Sequence, residues 1–333
     1  MNELESVTNI GLIGCGQQGR LLATALRKVE SASLVAVADI NEVAARRTLG
    51  DFGADEYYLD YHEMLSSNRL DAVMIATPHA LLKDISVDAA EAGKHVFVEK
   101  PMGTNRFQAE EIINSARKSG VGVMVGYCLR YAGVRTLMKK LLGEGVVGEI
   151  DIIIGGKGCP SLSGWLVNPD MGGGILLYLG VHLTDQVLWV SESKPKKVYA
   201  EVNFHTKYKV DETATYTIRF ENDILATLNC SMVAGKSFDF LEIIGSEGYL
   251  RSEWHENKLA VYSRKVKEYS NPTTIQVQEE LIKMYQLELQ EFVNAISEHR
   301  DPSITGEDGQ KVLEIIDSVF ESGKTGTVVT LSD

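Results

Sequence analysis

The 333-residue chain carries 33 Lys and Arg against 46 Asp and Glu, a formal net charge of -13. That length is more than one hydrophobic core usually fills, so two domains are expected. The acidic balance argues against nucleic acid or an anionic membrane surface as a partner, since either needs a basic patch, and no run approaches the 18 consecutive apolar residues of a membrane span.

The opening segment, MNELESVTN, is acidic and lacks the basic start and apolar stretch of a signal peptide. The four cysteines, Cys15, Cys128, Cys159 and Cys230, are scattered without a CxxC, and the seven histidines form no HxxxH or HExxH. Reduced thiols, a cytoplasmic location and no bound metal are expected.

An apolar run, NIGLI, leads into Gly14-x-Gly16-x-x-Gly19 and an amphipathic helix with Leu21, Leu22, Ala25 and Leu26 at helical spacing. Each glycine suits a bound pyrophosphate: Gly14 for the tight turn, Gly16 for close backbone approach, Gly19 for helix-on-strand packing. Gln17 and Gln18 fall in the first turn of that helix, where free N–H groups and the dipole attract an anion. A second buried run, SLVAVAD, ends at Asp39, about 20 residues beyond Gly19, where an acid accepts the ribose hydroxyls of NAD. Ile40 and Asn41 follow in place of an Arg that would welcome a 2′-phosphate, so NAD is favoured over NADP. Arg46 and Arg47 lie further on and are expected to face outward. The competing role for Asp39 is to cap the next helix.

LDAVMIATP is a third buried strand, followed by a helix over 81–92; KHVFVEKP is a fourth strand, AEEIINSARKSG a helix, and VGVMVGY a fifth strand. Continuous apolar strands alternating with helices predict a parallel sheet covered on both faces, an α/β Rossmann domain over 1–126. Ala76, Thr77, Pro78 and His79, and then Glu99, Lys100 and Pro101, fall at the carboxyl edge where such sheets bind ligands.

From 127 onward the pattern changes. GWLVNPD is turn-rich, and MGGGILLYLGVHLTD leads into a helix to about 190. KKVYAEVNF, ETATYTIRF, ILATLNCSMV, SFDFLEIIGS, GYLRSEW and ENKLAVYS read as strands with period-two alternation. Strands bunched together predict an α+β domain over 127–333 with a large, mostly antiparallel open sheet. A helix from about 278 places Ile282, Tyr285, Leu289, Phe292 and Ile296 on one face.

The glycine loop, AVADI, ATPH, HVFVEKP, VGYCLRY, GGGILLYLGVH and the closing DPSITGEDGQKVLEIIDSVFESGKTG together resemble the glucose–fructose oxidoreductase, inositol dehydrogenase and rhizopine catabolism family, Gfo/Idh/MocA. The resemblance covers nearly the whole chain. It implies a Rossmann domain, then the open-sheet domain, with the last helices, about 278–322, folded back on the first domain. It further implies NAD(P)-dependent hydride transfer at a secondary alcohol or ketone carbon of a sugar, sugar derivative or inositol, in a homodimer or homotetramer formed through the sheet. Two other activities stay open: a same-scaffold reductase of an aromatic or linear substrate, of dihydrodiol or biliverdin type, and a non-catalytic regulator that senses NAD(P).

Hydride transfer to a ketone leaves negative charge on oxygen, so the site needs a proton donor and a fixed positive charge. The resemblance makes Lys100 the catalytic lysine that bonds the reacting oxygen, with Glu99 orienting the nicotinamide or the lysine and Pro101 fixing the turn. It makes His182 the acid/base for the substrate hydroxyl, a role an imidazole can serve in either direction. Asp185, three residues on, is placed either to hold that ring in one tautomer or to accept from neighbouring backbone N–H groups. The family's usual aspartate falls at Tyr178, four residues before His182 and so on the same helix face. A phenol donates a proton where a carboxylate does not, and a nearby lysine would lower its pKa; alternatively Tyr178 only packs and His182 acts alone. Arg130 keeps its family place, for the nicotinamide carboxamide or the substrate, while Cys128 stands where Asn is usual. Tyr127, Trp165 and Tyr285 complete the expected substrate contacts, the last two by stacking on an apolar sugar face; plain packing is the alternative role for both.

Overall fold

Short, fully apolar runs and amphipathic helices build the first of two compact units, Met1–Cys128 with Glu280–Lys311; the second comprises Leu129–Glu279 and Val312–Asp333. The structure is a computed structural model describing residues 7–278 and 280–331.

In the first unit, β1 (Thr8–Ile13), β2 (Ala32–Ala38), β3 (Glu56–Tyr58), β4 (Ala72–Ile75), β5 (His95–Glu99) and β6 (Val123–Gly126) pair in parallel in the order β3-β2-β1-β4-β5-β6. The chain order reverses between β1 and β4, and the carboxyl ends of such strands form the crevice that takes dinucleotides. Helices α1 (Gln17–Leu26), α2 (Glu42–Phe52), α3 (Tyr61–Leu65), α4 (His79–Glu91) and α5 (Arg106–Ser119) connect them. All four residues of β4 are buried, which is why continuous apolar runs rather than alternation mark these strands. The edge strand β3 and the short α3 are additions to the five strands read from the sequence. The EYY of β3 is exposed or half-buried and so carries no apolar signal.

The second unit opens with α6 (Gly133–Gly143) and β7 (Ile150–Gly158), then α7 (Val181–Ser191) and the strands β8 (Pro195–Phe204), β9 (Asp211–Phe220), β10 (Leu225–Ser231), β11 (Phe238–Gly245), β12 (Gly248–Glu253), β13 (Lys258–Ser263) and β14 (Thr273–Gln276). With a closing β15 (Val329–Thr330) they form one nine-stranded sheet ordered β14-β13-β12-β11-β7-β10-β9-β8-β15. Every pair is antiparallel except β7 with β10. Along β9, Tyr216, Ile218 and Phe220 are buried while Thr215, Thr217 and Arg219 are exposed, the period-two pattern of a sheet with one covered face. α7 covers β7 and β10; a side chain at Gly155 would collide with Leu183, 2.7 Å away. The helical run Pro169–Ser191 reaches a mean hydropathy of 1.2, enough by composition to cross a membrane, yet 78% of that stretch is buried inside the protein. It is a core helix.

Two further helices complete the chain, α8 (Leu281–Ser297) and α9 (Gly306–Thr325). α8 belongs to the first unit: Phe292 meets Phe97 edge-on with centroids 5.7 Å apart, and Gln286 Nε2 donates to the Lys28 carbonyl at 2.7 Å. In the second unit the end of α9 meets β8, where Ser322 Oγ accepts the Ala200 N–H at 2.9 Å.

Candidate active site

In the first unit β1 ends at Ile13 and the chain turns at Gly14, whose φ is +95°. A Cβ there would lie 2.5 Å from the Ala76 carbonyl oxygen, and one at Gly19 would land on the Gly14 carbonyl. Only glycine permits this turn and this helix–strand approach. At the exposed Gly16 a Cβ would meet nothing within 4 Å, so the backbone borders open space. α1 begins at Gln17 with no side chain capping its N–H groups.

Asp39, just past β2, is held by that loop. Its Oδ2 accepts the Cys15 N–H at 2.7 Å, and its Oδ1 accepts the Asn41 N–H at 2.8 Å. The cap of α2 is Asn41, whose side chain accepts from Val43 and Ala44, so Asp39 does not serve as the helix cap. Ile40 is 94% exposed, and Arg46 and Arg47 also face solvent.

Past β4, the Thr77 hydroxyl oxygen is buried and has no hydrogen-bond partner among the described residues. Pro78 precedes α4, whose first residue, His79, is buried. At the end of β5, Glu99 accepts a 2.6 Å hydrogen bond from Gln18 Nε2. Burial pushes the Glu99 carboxyl above the usual range, against the opposing pull of the Lys100 charge and the Gln18 amide. Lys100 and Pro101 then form a tight turn closed by the Met102 N–H to the Glu99 carbonyl at 3.1 Å, with a cis Lys100–Pro101 peptide. Tyr127 is fully buried. Tyr285, on α8, is nearly so, and burial together with the neighbouring Cys128 thiol pushes its phenol far up.

In the second unit, Gly174 has φ +119°, and a side chain there would strike Asp211 Oδ1. The helix starts here with one α-type bond, from the Tyr178 N–H to the Gly174 carbonyl at 3.2 Å, but does not run on as a regular α-helix. Leu176–Gly180 form a π-helical turn, with the Val181 N–H bonding the Leu176 carbonyl five residues back, and α7 continues from it. Tyr178 lies in the π turn and His182 is the second residue of α7, which corrects the single α-helical turn expected between them. Such π segments recur at functional sites.

Tyr178 is half-buried, and burial followed by the neighbouring Cys159 thiol raises its phenol. The phenol stays protonated at neutral pH. His182 is 9% exposed. Asp185 receives the Arg130 fork, at 3.1 Å to each oxygen from Nε and 2.6 Å from Nη2, in a buried pair of the bidentate kind that fixes both side chains. Trp165 is half-exposed in a short 3-10 turn, Gly164–Val167. Two residues the sequence did not single out belong to this neighbourhood: Cys159 beside Tyr178, and Asp211 at the glycine triplet. A thiol after one strand and an acid opening another carry no pattern that announces them.

Residues 8–127 match the family model described as the oxidoreductase family with an NAD-binding Rossmann fold, and residues 136–251 match the Gfo/Idh/MocA C-terminal domain. The chain belongs to the Gfo/Idh/MocA oxidoreductase family. A myo-inositol 2-dehydrogenase of Thermotoga maritima is 24% identical to it over 312 residues, 91% of this chain and 92% of that one. A trans-1,2-dihydrobenzene-1,2-diol dehydrogenase of Danio rerio is 27% identical over 250 residues, 74% of each. Among solved structures, a levoglucosan dehydrogenase in complex with NADH and levoglucosan shares the fold, with a TM-score of 0.92 at 22% identity over 98% of this chain and 100% of that one.

The first unit of this Gfo/Idh/MocA chain fits NAD. The uncapped N–H groups of α1, the open space before Gly16 and the orphaned Thr77 hydroxyl are what a pyrophosphate and its attached sugars would satisfy. The Asp39 carboxylate, fixed by the Cys15 and Asn41 N–H groups, is of the kind that would accept ribose hydroxyls.

Proposed function

We propose that the chain moves a hydride between NAD and a secondary alcohol or ketone carbon of a sugar, sugar derivative or inositol. When bound, the nicotinamide supplies or takes the hydride. Gly14, Gly16, Gly19, Gln17 and Gln18 hold the pyrophosphate; Asp39 and Ile40 meet the adenosine half; Ala76, Thr77, Pro78 and His79 line the way to the nicotinamide, where Glu99 and Arg130 orient it. Lys100 bonds the reacting oxygen and offsets its negative charge. Lys100 and His182 handle the hydroxyl proton with Tyr178 as its donor or orienter, and Tyr127, Trp165 and Tyr285 lie against the substrate. The observation that carries this is the Glu99–Met102 turn, which presents Lys100 directly past the carboxyl end of β5 in a doubly wound sheet.

The test begins with a panel of inositols, glucose derivatives and their keto forms, offered with NAD+ and NADH. On the best substrate, Lys100→Ala is expected to lose about 100-fold or more of turnover while an NADH fluorescence titration gives an unchanged Kd. Turnover at the wild-type level in a variant that binds NADH tightly overturns the assignment.

A second activity is favoured by one observation: the phenol at Tyr178, with Cys159 beside it, makes this position less hydrophilic than a carboxylate would. Oxidation of a dihydrobenzene diol, which the name of the Danio rerio relative gives for that protein, would then exceed turnover of every polyol in the panel. We also propose a Rossmann domain over 1–126 and a substrate domain over 127–333, a cytoplasmic location supported by four free cysteines, and a homodimer or homotetramer. The open face of the sheet supports the oligomer, since Tyr199, Phe238, Phe240, Tyr249 and Tyr262 are only partly covered there.

A further inference from the structure

Strand β9 grips the segment that carries Tyr178 and His182 at two points. Asp211 opens the strand, is 3% exposed, and accepts the Leu176 N–H on Oδ2 at 2.6 Å. The Ile175 N–H also pulls on the same carboxylate. These are among the first N–H groups of a helical run and have no carbonyl one turn back to receive them. The carboxylate also meets the positive end of the helix dipole. The third glycine of the triplet is small because Asp211 occupies the space its side chain would need.

Five residues along the strand, Tyr216 is 1% exposed, with its hydroxyl 2.9 Å from Thr184 Oγ1 and 3.4 Å from the Gly180 carbonyl. Asp211 therefore ties down the start of the π turn, and Tyr216 ties down its junction with α7. Tyr178 lies between the two ties and His182 lies just past the second. A buried carboxylate costs several kcal/mol unless hydrogen-bonded, and a neutral side chain would fill the same volume, so the charge is kept for what it holds.

We propose that Asp211 is a positioning residue. Its carboxylate, bonded to the Leu176 N–H with the Ile175 N–H beside it, sets the height and rotation of the π turn and thereby the stance of the Tyr178 hydroxyl and the His182 ring. The consequence for turnover rests on the roles proposed above for those two residues; the clasp itself does not.

Two readouts need no substrate: hydrogen exchange over residues 174–182, and the ring NMR signal of His182, assigned by its loss in His182→Asn. Asp211→Asn keeps the size and one acceptor oxygen, and Asp211→Ala keeps neither. Amide protection at 175 and 176 is expected to fall about tenfold in Asp211→Ala and by less in Asp211→Asn. The His182 signal shifts in the same order, while the His62 signal and the Kd for NADH stay at wild-type values. On the best substrate, kcat falls on the order of 10- to 100-fold with KM little changed. If either folded variant keeps wild-type exchange and a wild-type His182 signal, the clasp is wrong. Should Asp211→Ala not fold, Asp211→Asn alone decides, because its lost N–H acceptor must still register in both readouts. If both readouts move but His182→Asn turns over normally, the clasp stands and the catalytic role of His182 falls.

Discussion

Gln18 on α1 and Glu99 at the end of β5 are joined by a 2.6 Å hydrogen bond from Nε2 to Oε1. The helix that follows the glycine loop is thus braced directly against the residue before Lys100. Burial raises the Glu99 carboxyl, and Gln18 is one of the groups opposing that rise. Gln18→Ala removes a donor from an ionised, buried acceptor, an interaction worth about 1.5–3 kcal/mol. The Glu99 pKa then climbs further, and because the folded value is already raised, the penalty is largest at high pH and shrinks as pH falls through it. Unfolding followed by far-UV circular dichroism from pH 5 to pH 8 reads this; a penalty independent of pH would assign the loss to packing alone.

Asp39 is held by two backbone N–H groups, from Cys15 and Asn41, so its carboxylate is preorganised before any ribose arrives. Asp39→Ala is expected to weaken NADH by about tenfold or more and NADPH by much less, since a 2′-phosphate is repelled by the native carboxylate. The ratio of the two Kd values, from paired fluorescence titrations, therefore falls. An unchanged ratio would reduce Asp39 to a brace for the glycine loop.

Much of this was legible in the sequence because the forces involved are local. Gly14-x-Gly16-x-x-Gly19 between an apolar run and an amphipathic helix, and Glu99-Lys100-Pro101 after another apolar run, declare a parallel sheet with ligand-facing ends. Alternation in TATYTIRF declares a half-covered antiparallel strand. The π turn at Leu176–Gly180 was not legible, because the residues that hold it, Asp211 and Tyr216, lie some 35 residues on. The Arg130–Asp185 pair spans 55 residues and likewise has no local sign.

The second unit buries a charge cluster that the sequence also hid. Asp239 on β11 accepts from Arg135 Nη2 at 2.6 Å and from Lys157 Nζ, while Arg135 also donates to Ser252. Burial alone would raise the Asp239 carboxyl, but the Lys157 and Arg135 charges outweigh it and hold it low. Asp239→Asn leaves two buried cations facing each other and is expected to cost about 3–5 kcal/mol. Arg135→Met leaves the Lys157–Asp239 pair intact and costs less. Trp165, Trp189 and Trp254 are the chain's three tryptophans and all lie in this unit, so urea unfolding followed by their fluorescence ranks the two variants; the reverse ranking would show that Arg135, not Asp239, anchors the cluster.

Asp211 gives the same unit a pH signature of opposite sign to that of Asp239. Burial is the main cause that pushes its carboxyl from the ordinary 3.8 to about 6, against the pull of the Leu176, Asp211 and Ile175 backbone N–H groups. The folded protein holds this proton more tightly than the unfolded chain, so its contribution to stability is complete below about pH 4 and is lost as pH rises through about 6. The amount is on the order of 3 kcal/mol. Cys230, whose thiol burial pushes up to about 12 and which feels the Asp211 charge, stays neutral across that window. Asp211→Asn cannot titrate. The stability of the wild type minus that of Asp211→Asn, read from tryptophan fluorescence in urea, should therefore decline between pH 4.5 and pH 7 and level off above it. A flat difference would mean that Asp211 keeps an ordinary pKa, and that the N–H groups clasping it offset its burial in full.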